Sequence, residues 1–220
     1  KDSAGRSLIP DLVERMLAIP GLARVRLSSI EANEVDDRLI DVMRDSGGRF
    51  CPHFHLPLQS GDAGVLRDMR RRYSPDQFLR TIDRIRAKVE DPSFTTDVIV
   101  GFPTEGDAAW GRTLEMCRRV GFSRVHIFPY SHRRGTDASR LADLPAAVKK
   151  SRHAELQALA TELTDRYGAT FVGREVDVLV EAPGRGYTGH YLKATVPTGR
   201  PNELVRARVV AAREGGLECA

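Results

Sequence analysis

A chain of 220 residues with 41% hydrophobic and 29% charged residues has the make-up of a globular protein, with room for one medium domain and a small one. No apolar run reaches the roughly 20 residues of a membrane-spanning helix, which argues against a membrane partner. The net charge of +4 is uneven: Arg118 to Arg152 holds nine Lys/Arg against Asp137 and Asp143, and Arg67, Arg70, Arg71 and Arg72 form a second cluster. Such patches suit a polyanion, because each phosphate contact releases counterions. Cys51, Cys117 and Cys219 are too few and too scattered for a disulfide framework or a metal-binding Cys pattern, and point to a reducing, cytoplasmic setting.

The opening Lys1-Asp2-Ser3-Ala4-Gly5-Arg6 has neither an initiator Met nor an apolar signal core, and reads as the interior of a longer polypeptide. Leu8 to Leu17 has helical spacing, stopped by Pro20-Gly21. Val25 to Ile30 reads as a strand, Val35 to Met43 as a helix, and Phe54 to Leu58 as a second strand. Val65 to Val89 gives one or two helical runs broken near Ser74-Pro75, where Ser74 is an N-cap, Pro75 the first helical residue and Gln77 the third. Phe94 to Val100 and Val125 to Tyr130 are further strands, separated by a helix over Trp110 to Val120. Four strands alternating with helices predict a parallel sheet, α/β in class and too short to close as a barrel. Chemistry in such sheets sits at the C-terminal strand ends.

The chain changes character after Pro145. Val148 to Tyr167 reads as a long amphipathic helix with Leu156, Leu159, Leu163 and Tyr167 on one stripe. Beyond it, Val176–Val180, Leu192–Val196 and Leu204–Val210 are short alternating runs between Pro/Gly turns, which predict a small antiparallel β-barrel of OB-like size. The expected organisation is therefore a partial β/α barrel over 1–145, a linking helix over 146–169 and a small β-barrel over 170–220.

Ser28, Ser29 and Glu31 close the first predicted strand with hydroxyls and a carboxylate, suited to a ribose or an ammonium group, or to capping a helix. Gln59, Ser60 and Gly61 place an amide, a hydroxyl and an approachable backbone at the next strand end, suited to an adenine or a carboxylate, or to a tight turn. Asp97 begins its apolar run, so it points into the barrel or caps a neighbour. Glu105 follows in the loop after Gly101-Phe102-Pro103. Arg71, Arg72 and Tyr73 fit a phosphate or a base, or a solvated helix end. His53 and His55 share a strand face but lack a third ligand, so no metal site is assigned. In the small barrel, Arg174, Tyr187, Tyr191, Lys193, Arg206 and Arg208 combine aromatic surfaces with cations, the mix that binds unpaired RNA.

In order along the chain, Arg26-Leu27-Ser28-Ser29-Ile30-Glu31, His55-Leu56-Pro57-Leu58-Gln59-Ser60-Gly61, Met69-x-Arg71-Arg72-Tyr73, Thr96-Asp97-x-Ile99-Val100-Gly101-Phe102-Pro103 and His126-x-Phe128-Pro129-Tyr130-Ser131 resemble the radical S-adenosylmethionine methylthiotransferases. The tail, Gly173-Arg174-Glu175-Val176 through Gly186-Tyr187-Thr188-Gly189-His190-Tyr191, resembles the TRAM barrel that ends those enzymes. Ser-Ser-x-Glu and Phe-Pro-Tyr-Ser resemble most the branch acting on N6-threonylcarbamoyladenosine beside the tRNA anticodon, whose siblings act on isopentenyladenosine or a ribosomal protein.

The resemblance implies transfer of a methylthio group to the adenine C2, with S-adenosylmethionine and two 4Fe-4S clusters. It implies cofactor contacts at Ser28, Ser29, Glu31, Gln59, Ser60 and Gly61, and substrate contacts at Arg71, Arg72, Tyr73, Asp97, Glu105 and Tyr130. The implied partners are the tRNA anticodon arm and an N-terminal remainder of the same enzyme. The cluster ligands are absent from this sequence, so no catalysis is expected from these residues alone. Thr104 and Gly106 depart from the family's usual Gly and Thr. Two rivals stand beside this reading. One is a non-catalytic RNA-binding module. The other, a β/α-barrel lyase, lacks a lysine at any strand end.

Overall fold

The computed structural model describes residues 7–213 and 215–220. The first six residues, on which the reading of an interior start rests, lie outside the described residues. Helix α1 (Ile9–Leu17) and helix α2 (Asp37–Asp45) lead into strand β1 (His53–His55). Short α3 (Ala63–Asp68), α4 (Pro75–Lys88), β2 (Ser93–Val100), α5 (Asp107–Val120) and β3 (Arg124–Pro129) follow. Asp36 caps α2 through the Leu39 amide at 2.8 Å, and Asp62 caps α3 through the Val65 amide at 2.9 Å. At α4 the predicted capping box is complete: Ser74 Oγ accepts from the Gln77 amide, and Gln77 Oε1 accepts from the Ser74 amide.

The strands form a parallel sheet in the order β1-β2-β3, with Phe54 opposite Phe94 and Asp97 opposite His126. One face carries Phe54, Phe94, Thr96, Val98 and Val100, all buried, and packs in a core with α2, α4 and α5. The opposite face carries His55, Thr95, Asp97, His126 and Phe128.

The expected strand over Val25 to Ile30 is not one. It touches the sheet edge at two isolated bridges, Val25 with Phe50 and Ser29 with His55. Four residues separate the first pair from the second on one side and five on the other, so the register slips, and Pro52 in the gap has no amide to donate. Strand β1 is also shorter than expected. Pro57 interrupts its ladder, and the Thr96 hydroxyl substitutes by donating to the Leu56 carbonyl at 2.7 Å and accepting the Leu58 amide at 2.9 Å.

Helix α6 (Ala146–Ala169) follows, burying Leu156, Leu159 and Leu163 against the sheet side. Strands β4 (Glu175–Ala182), β5 (Arg185–Thr188), β6 (Lys193–Thr195), β7 (Leu204–Arg213) and β8 (Gly216–Cys219) then close a barrel in the order β4-β5-β6-β8-β7 around a second apolar core. Two of the five strands, β5 and β8, have no counterpart in the sequence reading: each is four residues long, and glycine interrupts the apolar alternation. Gly186 is required in β5, since a Cβ there would stand 2.1 Å from the Leu179 carbonyl oxygen. No helix is long and apolar enough to cross a membrane among the described residues.

Candidate functional site

A cleft of about 710 Å³ opens at the C-terminal ends of the three strands. Gln59 enters it from the turn after β1, Asp97 and Ile99 from β2, Phe128 and Tyr130 from β3 and the residue beyond. Arg70 and Arg71 come from the end of α3. Two backbone conformations that non-glycine residues seldom adopt line this cleft, Gln59 at φ 60° and Arg70 at φ 57°. Gln59 is held by its amide donating to the Asp97 carbonyl at 2.8 Å and its carbonyl accepting the Ile99 amide at 2.9 Å. Arg70 turns out of the α3 terminus and pairs across the cleft with Asp137. Strain of this kind persists only where the surroundings over-determine it, and it clusters at ligand sites.

Four predicted site residues therefore meet in one place: Gln59, Arg71, Asp97 and Tyr130. Glu31 joins at the rim through Arg71, 3.5 Å away. The Tyr130 hydroxyl is buried with no hydrogen-bond partner, its ring edge-on to Phe102 at 5.3 Å. Lys149 stands over the same ring and donates to the Tyr130 carbonyl at 3.2 Å. Phe128 leaves half its surface exposed on the cleft wall. It was not among the expected site residues, although alternation along β3 from His126 was signal enough to find it. Asp137 carried no such signal, because only the tertiary fold brings it to Arg70.

Other expected residues lie elsewhere. Ser28 and Ser29 are exposed on the irregular edge segment. Ser60 is buried, its hydroxyl 3.3 Å from that of Thr113, and Gly61 lies so close to α5 that a Cβ would meet the Arg112 carbonyl oxygen at 2.6 Å. The close approach expected at Gly61 is thus to a helix. The Tyr73 hydroxyl donates to the Pro57 carbonyl at 2.7 Å inside the core, and burial raises its pKa to about 12. Arg72 is exposed and outside the cleft lining. Glu105 is fully buried, accepting from the Gly101 amide at 2.8 Å and from Arg152 at 2.9 Å; burial raises its pKa, against the opposing pull of these donors. It ties the loop after β2 to α6.

In the small barrel, Tyr191 faces the sheet. Its ring lies 4.8 Å from that of His53, beneath the Arg26 guanidinium at 4.8 Å, and stacks on Tyr187 at 5.0 Å. Arg26 donates to the Thr188 and Gly189 carbonyls, and Arg24 to those of Asp177 and Tyr187. Arg174 pairs with Asp91 at 2.7 Å. These contacts seat the barrel on the N-terminal end of the sheet. Lys193, Arg206 and Arg208 remain exposed; Arg206 pairs with Glu175 at 2.8 Å. Lys193 lines a shallow depression with Arg185 and Arg213.

The cleft suits an adenosine-type cofactor. Asp97 and Gln59 offer acceptors for hydroxyls and amines, and Ile99 and Phe128 an apolar wall. No iron–sulfur cluster fits: no group of three metal-ligating side chains exists among the described residues, and Cys51 and Cys117 are buried and separate.

Residues 3–117 match the family model of the radical SAM superfamily. The threonylcarbamoyladenosine tRNA methylthiotransferase of Thermotoga maritima is 39% identical over 96% of this chain and 50% of its own length. A tRNA-2-methylthio-N(6)-dimethylallyladenosine synthase of Cereibacter sphaeroides is 38% identical over 94% of this chain and 49% of its own. The chain thus spans about half the length of the curated relatives it matches. Among solved structures, coproporphyrinogen III oxidase from Escherichia coli shares the fold, with a TM-score of 0.55 at 19% identity over 70% of this chain and 37% of that one. By its family match over residues 3–117, more than half of its length, this chain belongs to the radical SAM superfamily.

Proposed function

We infer that this chain is the C-terminal part of a tRNA methylthiotransferase that acts on N6-threonylcarbamoyladenosine beside the anticodon, adding a methylthio group at the adenine C2. The observation that carries the reading is the cleft at the C-terminal strand ends. It gathers an amide, three carboxyl groups, three arginines and three aromatic rings in a space large enough for a nucleoside, on a chain 39% identical to an enzyme of that name.

S-adenosylmethionine, held by Gln59, Asp97 and Tyr130, would supply the methyl group. Phe128 would stack on an adenine ring, and Arg71 would meet phosphate or the carboxylate of the substituent. The five-stranded barrel takes the TRAM role of gripping the anticodon arm. Arg185, Lys193, Arg206, Arg208 and Arg213 are its RNA-facing cations, whereas Tyr187 and Tyr191 serve docking. Lacking cluster ligands, residues 1–220 alone bind rather than catalyse, and the remaining machinery belongs to an N-terminal portion of the same enzyme in the cytoplasm. The near-equal identity to the dimethylallyladenosine enzyme keeps that substrate as a second reading.

Binding of the chain to an anticodon stem-loop, with and without the threonylcarbamoyl group and across a salt series, tests this. Preference for the modified loop is expected. Preference for an isopentenylated loop would move the assignment to the sibling, and salt-sensitive binding without preference would reduce the chain to a general RNA grip.

A further inference from the structure

The open face of the sheet carries a file of polar side chains running lengthwise toward the cleft. Thr95 Oγ1 lies 2.9 Å from His53 Nε2 and 2.9 Å from His55 Nδ1. His55 Nε2 in turn lies 3.3 Å from Asp97 Oδ2. The four groups connect the region under Tyr191 to the carboxyl group in the cleft.

Hydrogen counting sets the direction of this file. His55 Nε2 meets Asp97 at ion-pair distance rather than in an aligned hydrogen bond; a carboxylate only accepts, so the hydrogen facing it belongs to His55 Nε2. The neutral ring then presents a bare lone pair at Nδ1, and the Thr95 hydroxyl donates to it. With its one hydrogen used, Thr95 accepts from His53 Nε2–H. His53 Nδ1 is left bare, and it is indeed buried with no partner. Burial lowers the His53 pKa to about 3, so that ring stays neutral, and the reverse order would leave an Nδ1–H donor buried with no acceptor. No hydrogen bond reaches the Asp97 carboxyl group from any other side chain among the described residues, and His55 is its one ion-pair partner there. His126, whose ring lies 5.8 Å from that of His55, is also kept toward its neutral form by burial.

We propose that His55 is a positioning residue: fixed in its Nε2–H form by Thr95, it aims the Asp97 carboxylate into the cleft as an acceptor for the hydroxyl and amine donors of a nucleoside. The ligand class rests on the function proposed above; the hydrogen-bond order does not. Its consequence is that the side chain aiming Asp97 is joined, through a single threonine hydroxyl, to His53, which lies against the small barrel's Tyr191.

Two measurements on the 220-residue chain test this. Long-range proton–nitrogen spectra of labelled histidine report which ring nitrogen carries hydrogen, and titration with S-adenosylmethionine reports the cleft. Single Nε2–H forms are expected at both His55 and His53. The His55→Leu variant should bind S-adenosylmethionine about tenfold more weakly at unchanged melting temperature, with His55→Gln, which keeps a donor toward Asp97, recovering most of the loss. Thr95→Val should let His55 sample both forms, and Thr95→Ser should not. An Nδ1–H form or an averaged ring at His55 in the wild-type chain overturns the proposal, as does full affinity in His55→Leu. If the wild-type chain does not bind S-adenosylmethionine, the nucleoside reading of the cleft fails, and the spectra alone decide His55.

Discussion

At the end of the sheet where the small barrel docks, arginine, tyrosine and histidine side chains are used up by one another; at the opposite end the same residue types face a cleft with bonding capacity to spare. Arg26 donates twice to carbonyls and covers the Tyr191 ring, which leans on His53. Across the sheet, Arg71 has one long contact to Glu31, the Tyr130 hydroxyl has none, and Phe128 is half exposed. Residue type therefore does not separate a binding site from a joint. What separates them is whether each group's partners are already present in the fold.

That distinction can be broken by substitution, and the largest effect belongs to a residue first read as substrate-facing. Arg152→Ala leaves the Glu105 carboxylate buried without its cation, and should cost about 3–5 kcal/mol of stability in denaturant melts. A melt within error of wild type would return Glu105 to the list of free groups. Arg26→Ala removes two charge-assisted hydrogen bonds and the ring contact at the joint. A loss of about 2–3 kcal/mol is expected, with faster proteolytic release of the small barrel.

Acid should also loosen the joint. Burial lowers His53 to about 3 and His190 to about 4, so the unfolded chain takes up protons below its ordinary value of about 6.5 while the folded chain does not. Stability then falls as pH falls, starting near pH 6.5 and ending for each residue at its folded value. At pH 5 each histidine should cost up to about 2 kcal/mol, and His190→Gln should flatten the slope; a flat wild-type profile would show both rings free to protonate. The smallest effect on folding is expected at the cleft wall. Phe128→Ala should change stability by less than about 0.5 kcal/mol, yet weaken anticodon stem-loop binding by about fivefold or more. Equal binding by the two proteins would remove Phe128 from the site.

Local signals made much of this architecture legible. The Ser74 capping box depends on residues three apart, and the β-branched run from Phe94 to Val100 marks its strand. Legibility ended where one element's state depends on a distant one. Val25 to Ile30 has the composition of a strand, but Pro52 on the neighbouring segment denies it a ladder. Gln59 and Asp97 were reachable because strand ends and parity are local properties. Tyr191 was not, because its ring is claimed by Arg26, and the sequence offers an unclaimed aromatic beside cations. Glu105 has the same history, with Arg152 as the distant claimant. The hydrogen-bond file from His53 to Asp97 needed the register of β1 against β2, which no single run of residues displays.

The joint between the two cores has one further consequence. Arg24 and Arg26 hydrogen-bond the small barrel at the carbonyl oxygens of Asp177, Tyr187, Thr188 and Gly189, beside the cover Arg26 gives the Tyr191 ring. Carbonyls are present whatever residue occupies a position, so these four hydrogen bonds are indifferent to the side chains at the positions they hold. The outer surface of the barrel can accumulate substitutions, and change what it grips, while the socket on the sheet stays as it is. A plug held by its backbone is an exchangeable part.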